Sequence, residues 1–172
     1  MRVGVTKNGL TVRVVAGTRS AILAIDLQEN KRKGCLGFSI QRTALGPASG
    51  RGKARPTSVW LPNMLTFASD KSPGPHTTET SPLQKFRWGD YTLLPANRYR
   101  FKVIPRYGKP GAFDETIRPE LADGVEVEVT TEDPESPETA VFFNRAAAAS
   151  KAFNEQFPGV KTEKDLSGNS AD

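Results

Sequence analysis

One histidine, one cysteine and one glycine-rich basic stretch are the obvious raw material for a reactive centre in this chain of 172 residues. His76 lies in "ASDKSPGPHTTETSP", with only Asp70 and Glu79 near it in sequence. A structural or catalytic metal takes three or four protein ligands, so His76 is expected as a solvated loop residue, though its ordinary pKa lies near neutrality. Cys35 precedes Leu36 and Phe38 in an apolar run and has no histidine beside it. It is expected as a buried thiol, and as a single cysteine it forms no disulfide within the chain. "GPASGRGKAR" invites a phosphate-loop reading, but that loop needs Gly-x-x-x-x-Gly-Lys-[Ser/Thr]. Pro47 replaces its first glycine and Ala54 its hydroxyl, and no helix-forming run follows. A flexible basic loop that touches phosphates without reading sequence is the better expectation.

The remaining chemistry-bearing types are carboxylates and aromatics. Glu126 and Glu128 share one strand face, which reads as solvated rather than as an acid/base pair, since nothing splits their environments. Trp88 and Tyr91 flank "GD" beside Lys85 and Arg87, a combination able to stack bases or sugars. A core position is nevertheless expected for Trp88, and likewise for Trp60. No catalytic residue, metal ligand or cofactor site is assigned.

Charge is unevenly spread. Residues 1–55 carry eleven Lys/Arg and two Asp/Glu, residues 56–111 eight and three, and residues 112–172 five and fourteen, giving the overall +5. Such polarity steers a polyanion to one face, although interleaved charges also simply keep a surface soluble. The basic candidates are Lys31, Arg32 and Lys33, and in the glycine-rich loop Arg51, Lys53 and Arg55. No apolar run reaches the roughly 20 residues of a membrane span. The N-terminus lacks the continuous apolar core of a signal peptide, so a cytoplasmic location is expected.

The elements that must position these residues are mostly strands. "LTVRVV" and "GVEVEVTTE" alternate with period two, "SAILAIDL" is an apolar strand with one carboxylate near its end, and "CLGFSIQRT" places Leu36, Phe38 and Ile40 on one face. "TSVWLP" is a short strand. "LQKFRWGDYTLL" alternates Phe86 and Trp88 with Lys85 and Arg87. "RYRFKVIPRY" points Tyr99, Phe101 and Val103 inward and Arg98, Arg100 and Lys102 outward. "NKRKG", residues 45–57 and residues 68–82 read as loops. Period-two runs separated by turns predict a mainly β chain, an antiparallel sandwich. An acidic Pro-containing linker and a helix with Phe153 and Phe157 on one stripe follow over 134–158. The sandwich thus occupies 1–133 and a polar tail, expected to be disordered, 159–172.

Leu93-x-Pro95-x-x-x-Tyr99 is the most specific local pattern. In immunoglobulin-like sandwiches such a tyrosine returns its hydroxyl to the backbone just upstream and locks the corner. The spacing resembles that of fibronectin type III domains, with "VEVTT" as the closing strand. This resemblance implies an immunoglobulin/fibronectin type III-like fold with a short C-terminal helix, and structural roles for Leu93, Pro95 and Tyr99. It carries no activity, because fold alone fixes none.

A wider resemblance covers most of the chain. "KNGLTVRVVAGT", "RKGCLGFSIQRT", "FRWGDYTLLPANRYRFKVIPRYGKPG", "GVEVEVTTE" and "AVFFNRAAAASKAF" are similar, in that order, to the N-terminal region of bacterial phospholipase D-like proteins. That family's phosphodiesterase chemistry uses His-x-Lys-x-x-x-x-Asp, whose histidine attacks phosphorus. Here the lone His76 is followed by Thr77 and Thr78, so the chain departs from the family where the chemistry resides. The resemblance implies a non-catalytic accessory module whose partner is a catalytic domain beyond Asp172, or one that has been lost. Phe142, Phe143, Phe153 and Phe157 are the expected interdomain contacts. The alternative is a polyanion-binding module, for nucleic acid or anionic lipid, working through the basic candidates.

Overall fold

Two neighbouring strands near the N-terminus bury every second residue. β2 (Leu10–Ala16) turns Leu10, Val12, Val14 and Ala16 inward, and β3 (Ala21–Leu27) does the same with Ala21, Leu23, Ile25 and Leu27. The computed structural model describes residues 1–50, 55–67 and 75–134. A strand the period-two reading does not contain, β1 (Arg2–Lys7), pairs antiparallel with β2. It joins β2 through Asn8 and Gly9, at φ +50° and +78°. Asn-Gly is the pair that a two-residue hairpin with both residues left-handed favours. β1 is exposed at five of its six positions. Only Val3 packs against the core, so no alternating pattern arises from a buried face.

The hairpins continue into two antiparallel sheets. The first sheet has the order β1-β2-β3-β6, where β6 is Arg87–Asp90. The second contains β5 (Thr57–Trp60), β4 (Cys35–Pro47) and β7 (Asn97–Lys109), in that order. On the other edge of β7 lie β9 (Val125–Thr130) and the short β8 (Ala112–Phe113). Its inward residues are Phe38 and Ile40 from β4, Tyr99, Phe101 and Val103 from β7, and Val125, Val127 and Val129 from β9. These join the aliphatic face of the first sheet in one core. The protein is mainly β, and its two sheets pack face to face as stacked layers.

Several local expectations are corrected. Leu36 does not share the inward face: a register shift between Cys35 and Gly37 leaves it half-buried, while Phe38 and Ile40 stay buried. Such a bulge moves one residue out of phase. It depends on Gly37, at φ +140°, where a Cβ would lie 2.6 Å from the Leu83 carbonyl oxygen. Leu83 exchanges two backbone hydrogen bonds of 2.9 Å with Phe38 across this site. "NKRKG" is not wholly loop, since Glu29–Arg32 forms a single helical turn, α1. Phe86 remains 47% exposed. It covers the end of the core edge-on to Phe38, ring centroids 5.3 Å apart, with the Arg32 guanidinium 5.6 Å from its ring centre.

The second half of the Pro-rich loop is built into the sandwich. Thr78 is fully buried; its hydroxyl accepts from the Ile40 N–H and donates to the Ile40 carbonyl, both at 2.9 Å. A side chain thus supplies the partner that β4 would otherwise need from a strand. Asn63 donates through its amide to the Ser81 carbonyl at 2.8 Å and holds the same segment against Leu61. Among the described residues, no helix is long and apolar enough to cross a membrane. The segment from 135 onward, including the expected helix with Phe142, Phe143, Phe153 and Phe157, lies outside the described residues, as do Arg51 and Lys53.

Candidate functional site

The link from β6 to β7 carries the chain from the first sheet to the second, and its polar groups converge. Leu93 is buried and Pro95 half-buried. The Tyr99 hydroxyl accepts a 2.8 Å hydrogen bond from the Leu94 N–H, five residues upstream. Beside it Arg42, from β4, reaches across to Asp90 on β6. Its Nη1 donates to Asp90 Oδ2 at 2.7 Å and to the Thr92 hydroxyl at 2.6 Å, and its guanidinium carbon lies 5.8 Å from the Tyr99 ring centre. The Asp90 carboxylate also accepts from the Thr92 N–H and hydroxyl. With its side chain only 3% exposed, Asp90 is a desolvated charge that Arg42 and Thr92 neutralise. The arrangement clasps one sheet to the other and offers no open face to a substrate. Sequence reasoning missed it, although Asp90-x-Thr92 carries a usable signal: an aspartate bonding the backbone two residues on marks a turn.

The basic candidates are dispersed, and two of them are committed to the fold. Lys31 is only 15% exposed at its side chain and pairs with Glu120 at 2.8 Å. This bond and a second, from Arg118 to the Asn30 carbonyl at 3.0 Å, hold α1 against the turn at Pro119–Leu121. Arg32 donates to the Leu27 carbonyl at 2.6 Å and pairs with Asp26 at 3.1 Å. The Lys31 carbonyl accepts the Tyr107 hydroxyl at 2.7 Å. Lys33 and Arg55 are exposed. The run from Lys31 to Lys33 is thus largely a structural strap rather than a free cationic patch.

The other singled-out residues hold structural posts. His76 is half-buried, and its carbonyl accepts from the Asn63 N–H at 2.9 Å. Cys35 is half-buried beside the Gly37 carbonyl, and burial pushes its thiol above the usual range. Among the described residues no three His, Cys, Asp or Glu converge to hold a metal. Trp88 packs against the core, and its Nε1 is buried without a hydrogen-bond partner. Trp60 is half-buried.

The outer faces of the two sheets differ electrostatically. On the second sheet the register sets Arg100 opposite Glu128 and Lys102 opposite Glu126. The Arg100 Nε donates to Glu128 at 2.8 Å, while Glu126 lies 3.7 Å from Arg100 and 3.9 Å from Lys102. Arg106 pairs with Glu115 at 3.0 Å. Glu126 and Glu128 thus serve as counterions to Arg100 and Lys102, while Arg98, opposite Thr130 on the same face, makes no ion pair among the described residues. The first sheet carries only two carboxylates, Asp26 and Asp90, and both are engaged by Arg32 and Arg42. Its outward arginines, Arg2, Arg13 and Arg87, make no ion pair among the described residues. No protein-family model matches this sequence, and no curated protein matches it significantly.

Proposed function

We propose that this chain is a non-catalytic β-sandwich module of the fibronectin type III kind that positions or supports a phospholipase D-like phosphodiesterase. The observation that carries the fold half of this reading is the order of strands. Apart from the edge strands β1 and β8, the two sheets group as β2-β3-β6 and β5-β4-β7-β9, with the chain passing between layers from β3 to β4, β5 to β6 and β6 to β7. This three-plus-four grouping supports the reading. The Tyr99-to-Leu94 bond falls on the link where such sandwiches place their tyrosine corner. The functional half rests on the similarity of the strand-forming blocks to the N-terminal region of phospholipase D-like proteins. A module of this kind contributes rigid faces rather than reacting groups, and the described polar clusters are used to hold sheets and turns together.

Two results test the assignment. The coding sequence past Asp172, or a gene co-expressed with it, should contain paired His-x-Lys-x-x-x-x-Asp motifs, and a protein carrying them should co-elute with this module. The purified chain alone should not turn over bis(p-nitrophenyl) phosphate. Turnover by the chain itself, or a coding context without any phosphodiesterase, would overturn the reading.

A further inference from the structure

We propose that the outer face of the β1-β2-β3-β6 sheet binds single-stranded nucleic acid. Strand register brings its residues together. One row across the sheet reads Arg2, Val15, Ile22, Gly89, and the next reads Gly4, Arg13, Ala24, Arg87. Arg13 and Arg87 are two strands apart with only a methyl group between them, a separation of about 10 Å at the backbone. Arg2 stands on the same face, one row away. These three guanidiniums come from positions 2, 13 and 87, so only the pairing of strands unites them.

The floor between them is shallow. Gly4 has no side chain, and the stem of Arg13 lies over it: a Cβ there would be 3.2 Å from the Arg13 Cγ. Gly89 is covered by the Tyr91 ring, whose phenolic atoms would lie 2.7–2.9 Å from a Cβ. Tyr91 is 49% exposed and Ile22 is 42% exposed. Beside them runs a groove of about 630 Å³, to which Ile22, Arg87 and Tyr91 contribute together with Lys85, Met64 and Leu65. Planar guanidiniums donate to phosphate oxygens in two-point contacts and stack on bases. Aromatic rings on an open sheet supply the stacking surface that single strands need. The Arg100–Glu128 pair on the outer face of the second sheet provides a built-in control. The inference stands whether or not a phosphodiesterase accompanies the module.

The test is fluorescence anisotropy of the whole chain with labelled oligothymidylate of about 20 nucleotides, long enough for several stacking sites, over a salt series. With three phosphates engaged, the logarithm of affinity should fall against the logarithm of salt with a slope of about −2. Arg13→Gln and Arg87→Gln should each flatten the slope by about 0.7. Tyr91→Ala should weaken binding by about tenfold with the slope retained, as expected for a lost stacking partner. Arg100→Gln, on the opposite face, should change neither. All four variants are surface substitutions, and an unchanged unfolding transition confirms that each is folded. Absence of binding at low salt, equal loss from Arg100→Gln, or capture of phosphatidylserine vesicles without capture of the oligonucleotide would each overturn the proposal.

Discussion

Tyr99 and Tyr107 show how single hydroxyls hold this structure. Both are buried, and each has one backbone partner outside its own strand. Tyr99→Phe removes the acceptor of the Leu94 N–H without opening a cavity and should cost about 1 kcal/mol in chemical denaturation. Tyr107 has a pH signature as well. Burial pushes its phenol from the usual 10 up to about 12. The fold therefore favours the neutral phenol. That contribution is fully present below pH about 10 and is lost as pH rises towards about 12. An unfolding series should show stability falling across this window, and Tyr107→Phe should flatten that limb. An unaltered alkaline profile in the variant would remove Tyr107 from the account. Cys35, raised by its burial, sits beside this group as a poorly ionised thiol rather than a nucleophile.

At the scale of elements, β6 is the informative strand. It is four residues long, lies at the edge of the first sheet and is fastened to the second sheet by Asp90 and Arg42. Asp90→Ala leaves the Arg42 charge partly buried and unpaired and should destabilise by about 3 kcal/mol or more. In an Arg42→Met background the same change should cost much less, and equal costs in the two backgrounds would dissolve the clasp. Legibility in the sequence followed burial. β2, β7 and β9 alternate because one face is packed, and period two reads their inward residues; β3 buries every second residue too, but its outward Ile22 and Ala24 are apolar and hide the period. β1 has almost no buried face, so only Asn8-Gly9 hinted at it. The segment 75–82 reads as a Pro-rich loop because its order comes from Thr78 bonding Ile40, a contact 38 residues away that no local pattern encodes. The corner was legible because its spacing, Leu93 to Pro95 to Tyr99, is local.

Over the whole molecule, two sheets share one core but present different outer surfaces. The acidic residues of β9 are spent on the arginine and lysine of β7, which leaves the first sheet as the open cationic face. The basic excess of the first half of the chain was visible in composition, yet its location was not. The candidates legible in sequence are Lys31–Lys33 and the glycine-rich loop, whose Arg51 and Lys53 lie outside the described residues; strand pairing adds Arg2, Arg13 and Arg87 on one face. The functional surface depends on the two layers being fixed to one another at the link between β6 and β7. Amide hydrogen exchange at Leu94 tests that fixing most directly. The Leu94 amide should exchange slowly in the native protein and near the unprotected rate in Tyr99→Phe, while Phe101 and Val103 stay protected in both. A Leu94 amide that exchanges freely in the native protein would contradict the corner and the clasped arrangement of sheets built on it.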